Sequence, residues 1–178
     1  MKDETLDVLD TEHTALILVD LQLRIVGRQL APHGGADVVR QSMRLAHGFH
    51  AKGGLVVVVQ SERSGTVSQP PGNELVGEIA PQGSDLLITQ HTGCAFHETD
   101  LHEKLQGRKI IAVAIAGIAT NVDVESTARA AAEHGYRVIL VEDAMASMDA
   151  AAHAFAITKV FPQLGTVCSA DDLLSRLA

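Results

Sequence analysis

The sequence predicts an α/β fold in which helices cover both faces of a parallel sheet of five or six strands. Three observations lead there. Thr14 to Val19, Leu55 to Val59, Ile110 to Ala116 and Arg137 to Val141 are short, β-branched runs that stay apolar without alternating, the pattern of strands buried on both faces. Longer stretches with helical periodicity separate them, and strands alternating with helices mean βαβ crossovers. Glycines punctuate the joins, with Gly53-Gly54, Gly107 and Gly135 each between a helix and the next strand, as C-terminal caps.

In chain order, Thr14 to Val19 forms the first strand and runs into Asp20, and Ala36 to Lys52 forms the first long helix. Leu55 to Val59 is the second strand. Ser61 to Ser84, with Gly65, Pro70-Pro71-Gly72, Pro81 and Gly83, has no period and reads as a functional loop over the sheet edge. Asp85 to Thr89 is a weaker strand and Thr99 to Leu105 a helix; Ile110 to Ala116 is a strand and Asn121 to His134 a helix. Arg137 to Val141, Ala150 to Val160, the weak strand Thr166 to Ser169 and the helix Ala170 to Leu177 complete the alternation.

The chain has 178 residues, 46% hydrophobic and 20% charged, which suits one compact domain over residues 1–178. A formal charge of −8, with 14 scattered Lys+Arg, repels nucleic acid and anionic membranes. The two cysteines, Cys94 and Cys168, have no CxxC or metal-ligand spacing, which fits a reducing cytoplasm. The segment Met1 to Asp7 is acidic where an export signal would be basic. The apolar runs fall far short of the roughly 20 residues that cross a bilayer.

An open parallel sheet holds its ligand at the carboxyl ends of its strands, where strand order reverses. Those ends are Asp20, Gln60 to Arg63, Gln90 and His91, Gly117 to Asp123, and Glu142 with Asp143. Asp20 is either a turn-capping acid or a chemical group. The junction from Gly117 to Asp123 has two readings as well. A strand-turn-helix join directs N–H groups at an anion, yet Thr120 and Asp123 are also spaced as a helix capping box.

At these residues the sequence resembles the isochorismatase-like, or cysteine, hydrolases. The resemblance is carried by Ala15 to Gln22 (ALILVDLQ), Asp85 to Leu101 (DLLITQHTGCAFHETDL), Gly117 to Arg129 (GIATNVDVESTAR), Gly135 to Asp143 (GYRVILVED), Ala144 to Ser147, His153 and Phe161-Pro162. It implies a three-layer αβα sandwich with strand order 3-2-1-4-5-6, a homo-oligomer and a small-molecule substrate. Typical members use an Asp after the first strand, a Lys opening the motif that ends in Ala-Phe, and a Cys at the helix start. Here those positions hold Asp20, Gln90 and Asp123. The resemblance further implies a cis peptide between Ile118 and Ala119, an oxyanion site at the N–H groups of Ala119 and Asp123, and substrate contact at Phe96.

Without the thiol, attack on an amide by a carboxylate would yield a high-energy anhydride, so a covalent route is not expected. Family members that lack the cysteine include the isochorismatases, which cleave a vinyl ether by protonating it and adding water. Asp20 and Asp123 within a few ångströms cannot both ionise freely, so one proton is expected between them, on Asp20, with Asp123 as the base. Arg63 and His91 are candidate cations for balancing these acids or for holding a substrate carboxylate. His47 and His50 share a helix face but have no third ligand, and Ser61 to Pro71 has neither His nor Asp; neither metal nor cofactor is expected. The expected function is hydrolysis of a small carboxylated metabolite, at a vinyl ether or C–N bond, without a cysteine intermediate. The alternative is a catalytically silent relative that binds a ligand or partner.

Overall fold

The computed structural model describes residues 7–178. Met1 to Leu6, most of the acidic segment on which the expectation of no export signal rests, lie outside the described residues. Six parallel strands form one sheet: β1 (Thr14–Val19), β2 (Leu55–Ser61), β3 (Leu86–Gln90), β4 (Ala112–Ile118), β5 (Arg137–Ala146) and β6 (Thr166–Cys168). Their order is β3-β2-β1-β4-β5-β6, so the chain winds outward from β1 in one direction and from β4 in the other. The expected fold class and strand order are both found. Neighbouring strands are in register, with Ala15 opposite Leu55 and Val113, and Val19 opposite Val59 and Gly117.

The uninterrupted apolar runs are explained by two cores. Leu16 and Leu18 of β1 face one layer with Val56 and Val58, under α1 (Leu23–Val26), α2 (Gly35–Ala51) and a final helix that buries Ala170 and Leu173. Ala15, Ile17 and Val19 face the other layer, with Leu101 and Leu105 of α3 (Leu101–Gly107) and Ala128 and Ala131 of α4 (Glu125–Glu133). Further along the chain come α5 (Ala150–Phe155) and that final helix, α6 (Ala170–Ser175). Among the described residues no helix is long and apolar enough to cross a membrane.

Four local expectations are corrected. The helix expected from Thr99 starts and ends two residues later, running through Gly107, so the left-handed position falls on Lys109 at φ 56°. Gly53 and Gly135 do adopt positive φ, 72° and 85°. β5 continues to Ala146 because its register against β4 shifts between Ile115 and Gly117, bulging out the polar pair that interrupts the apolar run. Asp143 in that bulge is not at a strand end: its carboxylate accepts from the Ala170 N–H at 2.7 Å and from Gln41 Nε2 at 3.1 Å, capping α6 and tying it to α2. Thr120 and Asp123 form no capping box; Thr120 Oγ1 pairs with His153 Nδ1 instead, and the capping box occurs at Ser169 and Asp172.

Candidate active site

The strand order reverses between β1 and β4, and the carboxyl ends of β1, β2, β3 and β4 converge beside that point. Asp20 follows β1 directly and is 2% exposed. Its N–H still donates to the Val59 carbonyl, and its φ of 54° places it in the left-handed region, which Asp tolerates better than most residues. Ser61 ends β2 and donates through Oγ to Asp20 Oδ2 at 2.7 Å. Gln90 ends β3, fully buried, and its Nε2 donates to the same Oδ2 at 3.1 Å and to Ser61 Oγ at 3.0 Å. Oδ2 thus has two donors, while Asp20 Oδ1 and Gln90 Oε1 are buried with no hydrogen-bond partner among the described residues.

From β4 the chain passes through a cis peptide between Ile118 and Ala119 into a π-helical turn, Thr120–Val124, that leads into α4. The turn carries Asp123 towards Asp20. Two contacts brace it, the buried pair of Thr120 Oγ1 with His153 Nδ1 at 2.8 Å and the half-buried bond from Ser147 Oγ to Asn121 Oδ1 at 2.5 Å. Burial, with His33 nearby, holds His153 below the ordinary histidine range, so it braces the turn as a neutral ring. On the far side the Gly93 backbone packs close, since a Cβ there would stand 3.1 Å from Asp123 Oδ1.

Burial, then the charge of Asp123, pushes the Asp20 carboxyl up to about 7; hydrogen bonds from Ser61 and Gln90 oppose the shift only in part. Asp123 is also raised by burial, but the N–H groups of Asp123 and Ala119 and a hydrogen bond from Asp20 favour its anion. The geometry and these shifts agree. A buried anionic oxygen with no donor is costly, whereas a protonated Oδ1 can itself donate to Asp123. With Ser61→Ala, Oδ2 loses a donor to its charged form and Asp20 titrates above about 7; carbon-13 NMR of the aspartate carboxyls reads the change.

Asp20, Ser61, Ala119 and Asp123 line one cavity of about 220 Å³ with Arg24 and Arg28. Gln90 stands behind Asp20 through its hydrogen bond. The structure therefore brings Asp20, Gln90, Ala119 and Asp123 together. It does not bring Arg63, His91 or Phe96 to them. Arg63 belongs to an exposed turn closed by Thr66 and Gln69, and exposed His91 pairs through Nδ1 with the Glu62 carbonyl at 3.0 Å. Phe96 is buried against His134 and Tyr136 and borders a larger recess of about 590 Å³ with Cys94 and Ser126, which neither Asp20 nor Asp123 lines. We place the candidate chemistry in the smaller cavity because the perturbed carboxyls are there. Of the two histidines on α2, His50 is engaged by Asp85 at 2.8 Å.

Sequence reasoning covers Ser61 only as part of the strand end Gln60 to Arg63, and it misses Arg24, Arg28 and Asn73. Gln22, within the quoted ALILVDLQ motif, has a role that its motif does not reveal. Its amide accepts from the Ser61 N–H at 3.0 Å, donates to the Ser61 carbonyl at 3.1 Å and also donates to the Asn73 carbonyl, which fixes the residue that feeds Asp20.

Comparison with known proteins follows the same lines. The family model described as Isochorismatase domain matches residues 14–172. The uncharacterized isochorismatase family protein YecD of Escherichia coli O157:H7 is 31% identical, over 95% of this chain and 98% of its own. Maleamate amidohydrolase of Pseudomonas putida is 24% identical over 83% of this chain and 70% of its own. The structure of an isochorismatase family protein from Burkholderia thailandensis superposes with a TM-score of 0.85 at 34% identity, covering 93% of this chain and 95% of that one. With its strand order and its family match in agreement, the chain belongs to the isochorismatase-like hydrolase family.

Proposed function

We propose that this protein hydrolyses a vinyl ether or C–N bond of a small carboxylated metabolite, using Asp20 and Asp123 as acid and base and no covalent cysteine intermediate. One observation carries the reading: Asp20 Oδ1 is buried without a donor in a cavity it shares with a second carboxyl. Protonated there, Asp20 delivers its proton to the vinyl carbon or the departing nitrogen. For a vinyl ether, protonation at carbon leaves an oxocarbenium ion with its C–O bond intact; water adds to it, losing a proton to Asp123, and the hemiketal hydroxyl gives its own proton to the leaving oxygen as the C–O bond breaks. For an amide, water adds to the carbonyl carbon as Asp123 takes its proton, and the C–N bond then breaks as Asp20 protonates the nitrogen. The cycle leaves the proton on Asp123, and return to Asp20 resets the pair. A relative named for maleamate hydrolysis, a reaction at the amide of a small carboxylate, supports the C–N branch.

The alternative, a silent relative that only binds, is favoured by the lack of any thiol or ammonium group in the cavity lining. The two separate in one experiment. Isochorismate, other vinyl ethers and small amides are assayed with the native protein, Asp20→Asn and Asp123→Gly. Turnover of any member that vanishes in both variants supports the acid–base reading, and binding without turnover across the panel supports the alternative. For an active protein, kcat/KM requires Asp20 protonated, so its alkaline limb falls through about pH 7. A homo-oligomer remains part of this proposal, supported by the exposed apolar side chains Val122, Met148 and Phe155, of which Met148 lines the cavity; sedimentation velocity tests it.

A further inference from the structure

We infer that Arg24 and Arg28 anchor a single carboxylate of the ligand, so that the cavity selects a small monocarboxylate whose end at the acid pair is uncharged. The inference rests on the proposed acid–base reading and adds the ligand's charge pattern to it. Arg24 leaves α1 and lines the cavity with Asp20 and Asp123. Its Nε donates to Asn73 Oδ1 at 2.7 Å, and buried Asn73 is held in turn by its own Nδ2 bond to the Ser61 carbonyl at 3.0 Å. The guanidinium plane is therefore fixed from behind. Among the described residues, neither Nη of Arg24 has an acceptor, and the Arg28 side chain has none either. Arg40, Arg44 and Arg129, by contrast, each hold a carboxylate within 3 Å, at 2.7, 2.5 and 2.9 Å.

Arg24 is not simply the counter-ion of the acids. No ion pair joins it to Asp20 or Asp123, and its charge is the weakest of the influences named on each of them. The cations and the acids therefore act as two separate parts of one lining. An acid pair holding one proton carries one negative charge and the two guanidiniums carry two positive charges, leaving one positive charge to be matched. One carboxylate matches it; a second would be left beside Asp123. A planar guanidinium presenting two free Nη groups suits the two oxygens of a carboxylate. The volume of about 220 Å³ lies below the usual range of drug-sized sites, which restricts the ligand to a small acid.

The test is isothermal titration calorimetry with ω-amide monocarboxylates from malonamate to glutaramate, each against its matched dicarboxylate and diamide. At least one monocarboxylate is expected to bind about tenfold or more tightly than both of its matches. Arg24→Gln is expected to lose roughly 10- to 100-fold of that affinity while leaving the diamide unchanged. Arg28→Gln is expected to act in the same direction. The inference is overturned if no monocarboxylate exceeds its matches, or if Arg24→Gln binds it as well as the native protein does. Asp20→Asn keeps the two readings apart. Carboxylate selectivity that survives in a protein whose turnover ignores Asp20→Asn leaves the anchor standing without the acid–base chemistry. Turnover lost in Asp20→Asn with no carboxylate selectivity leaves the chemistry without the anchor.

Discussion

Asp20→Asn lowers kcat on any substrate by roughly 10²- to 10⁴-fold, the usual contribution of a positioned general acid, with the fold retained. The substitution is nearly isosteric and its polar atoms find partners. An amide oxygen can accept from Ser61 and Gln90 as Oδ2 does, and an amide nitrogen can donate to Asp123 as a protonated Oδ1 does. Stability moves the other way. Asp20 titrates near its ordinary 3.8 when unfolded and at about 7 when folded, so the folded state holds the proton more tightly. That stabilisation is complete below about pH 4 and lost as pH rises through 7, by an amount of the order of a few kcal/mol. An asparagine has no such term. Urea unfolding at about pH 5 and pH 8 therefore shows the variant gaining on the native protein as pH rises. Unaltered turnover, or a pH-independent stability difference, would falsify the assignment of the proton to Asp20.

Gly117→Ala has the largest expected effect on folding, a loss exceeding about 4 kcal/mol. Gly117 sits at φ 124°, where side-chain-bearing residues are strained, and it lies opposite Val19 in the sheet. An added Cβ would stand 2.1 Å from the Val19 carbonyl oxygen and 2.6 Å from its nitrogen, both backbone atoms. No rotamer change relieves that clash. Relief requires β4 to move away from β1 where Asp20 and Ala119 begin, so any folded remnant would also lose the cavity. Urea denaturation followed by circular dichroism measures the first effect, and the ligand titrations above measure the second.

The central strands were legible because each needs apolar side chains on both faces, as Thr14 to Val19 and Ala112 to Ile118 show; the half-exposed edge strands β3 and β6 gave the weaker signals. Asp20, Gln90 and Asp123 were legible through family motifs that place one residue at each strand end. Asn73 was not, and Ser61 stood out only as one member of the strand end Gln60 to Arg63. Their roles arise from bonds to residues 41 and 12 positions away, across strands or a loop, and a short polar side chain at a strand end or in a loop carries no period that marks it. Arg24 and Arg28 were hidden because the four-residue helix α1 is too short to give a pattern. Arg63 and His91 stand near the right strand ends in sequence, but the loop turns their side chains to solvent and to local backbone partners.

The grip of Gln22 on both Ser61 and Asn73 has a consequence for how the protein can change over time. Joined there, with Asn73 also bonded to Ser61, residues 62–72 form an excursion whose neck is already closed. Loop length weighs only logarithmically on such a closed segment. Its interior can be trimmed, extended or swapped while the neck stays fixed, so this stretch of surface can change without moving Ser61 or the carboxyl it holds.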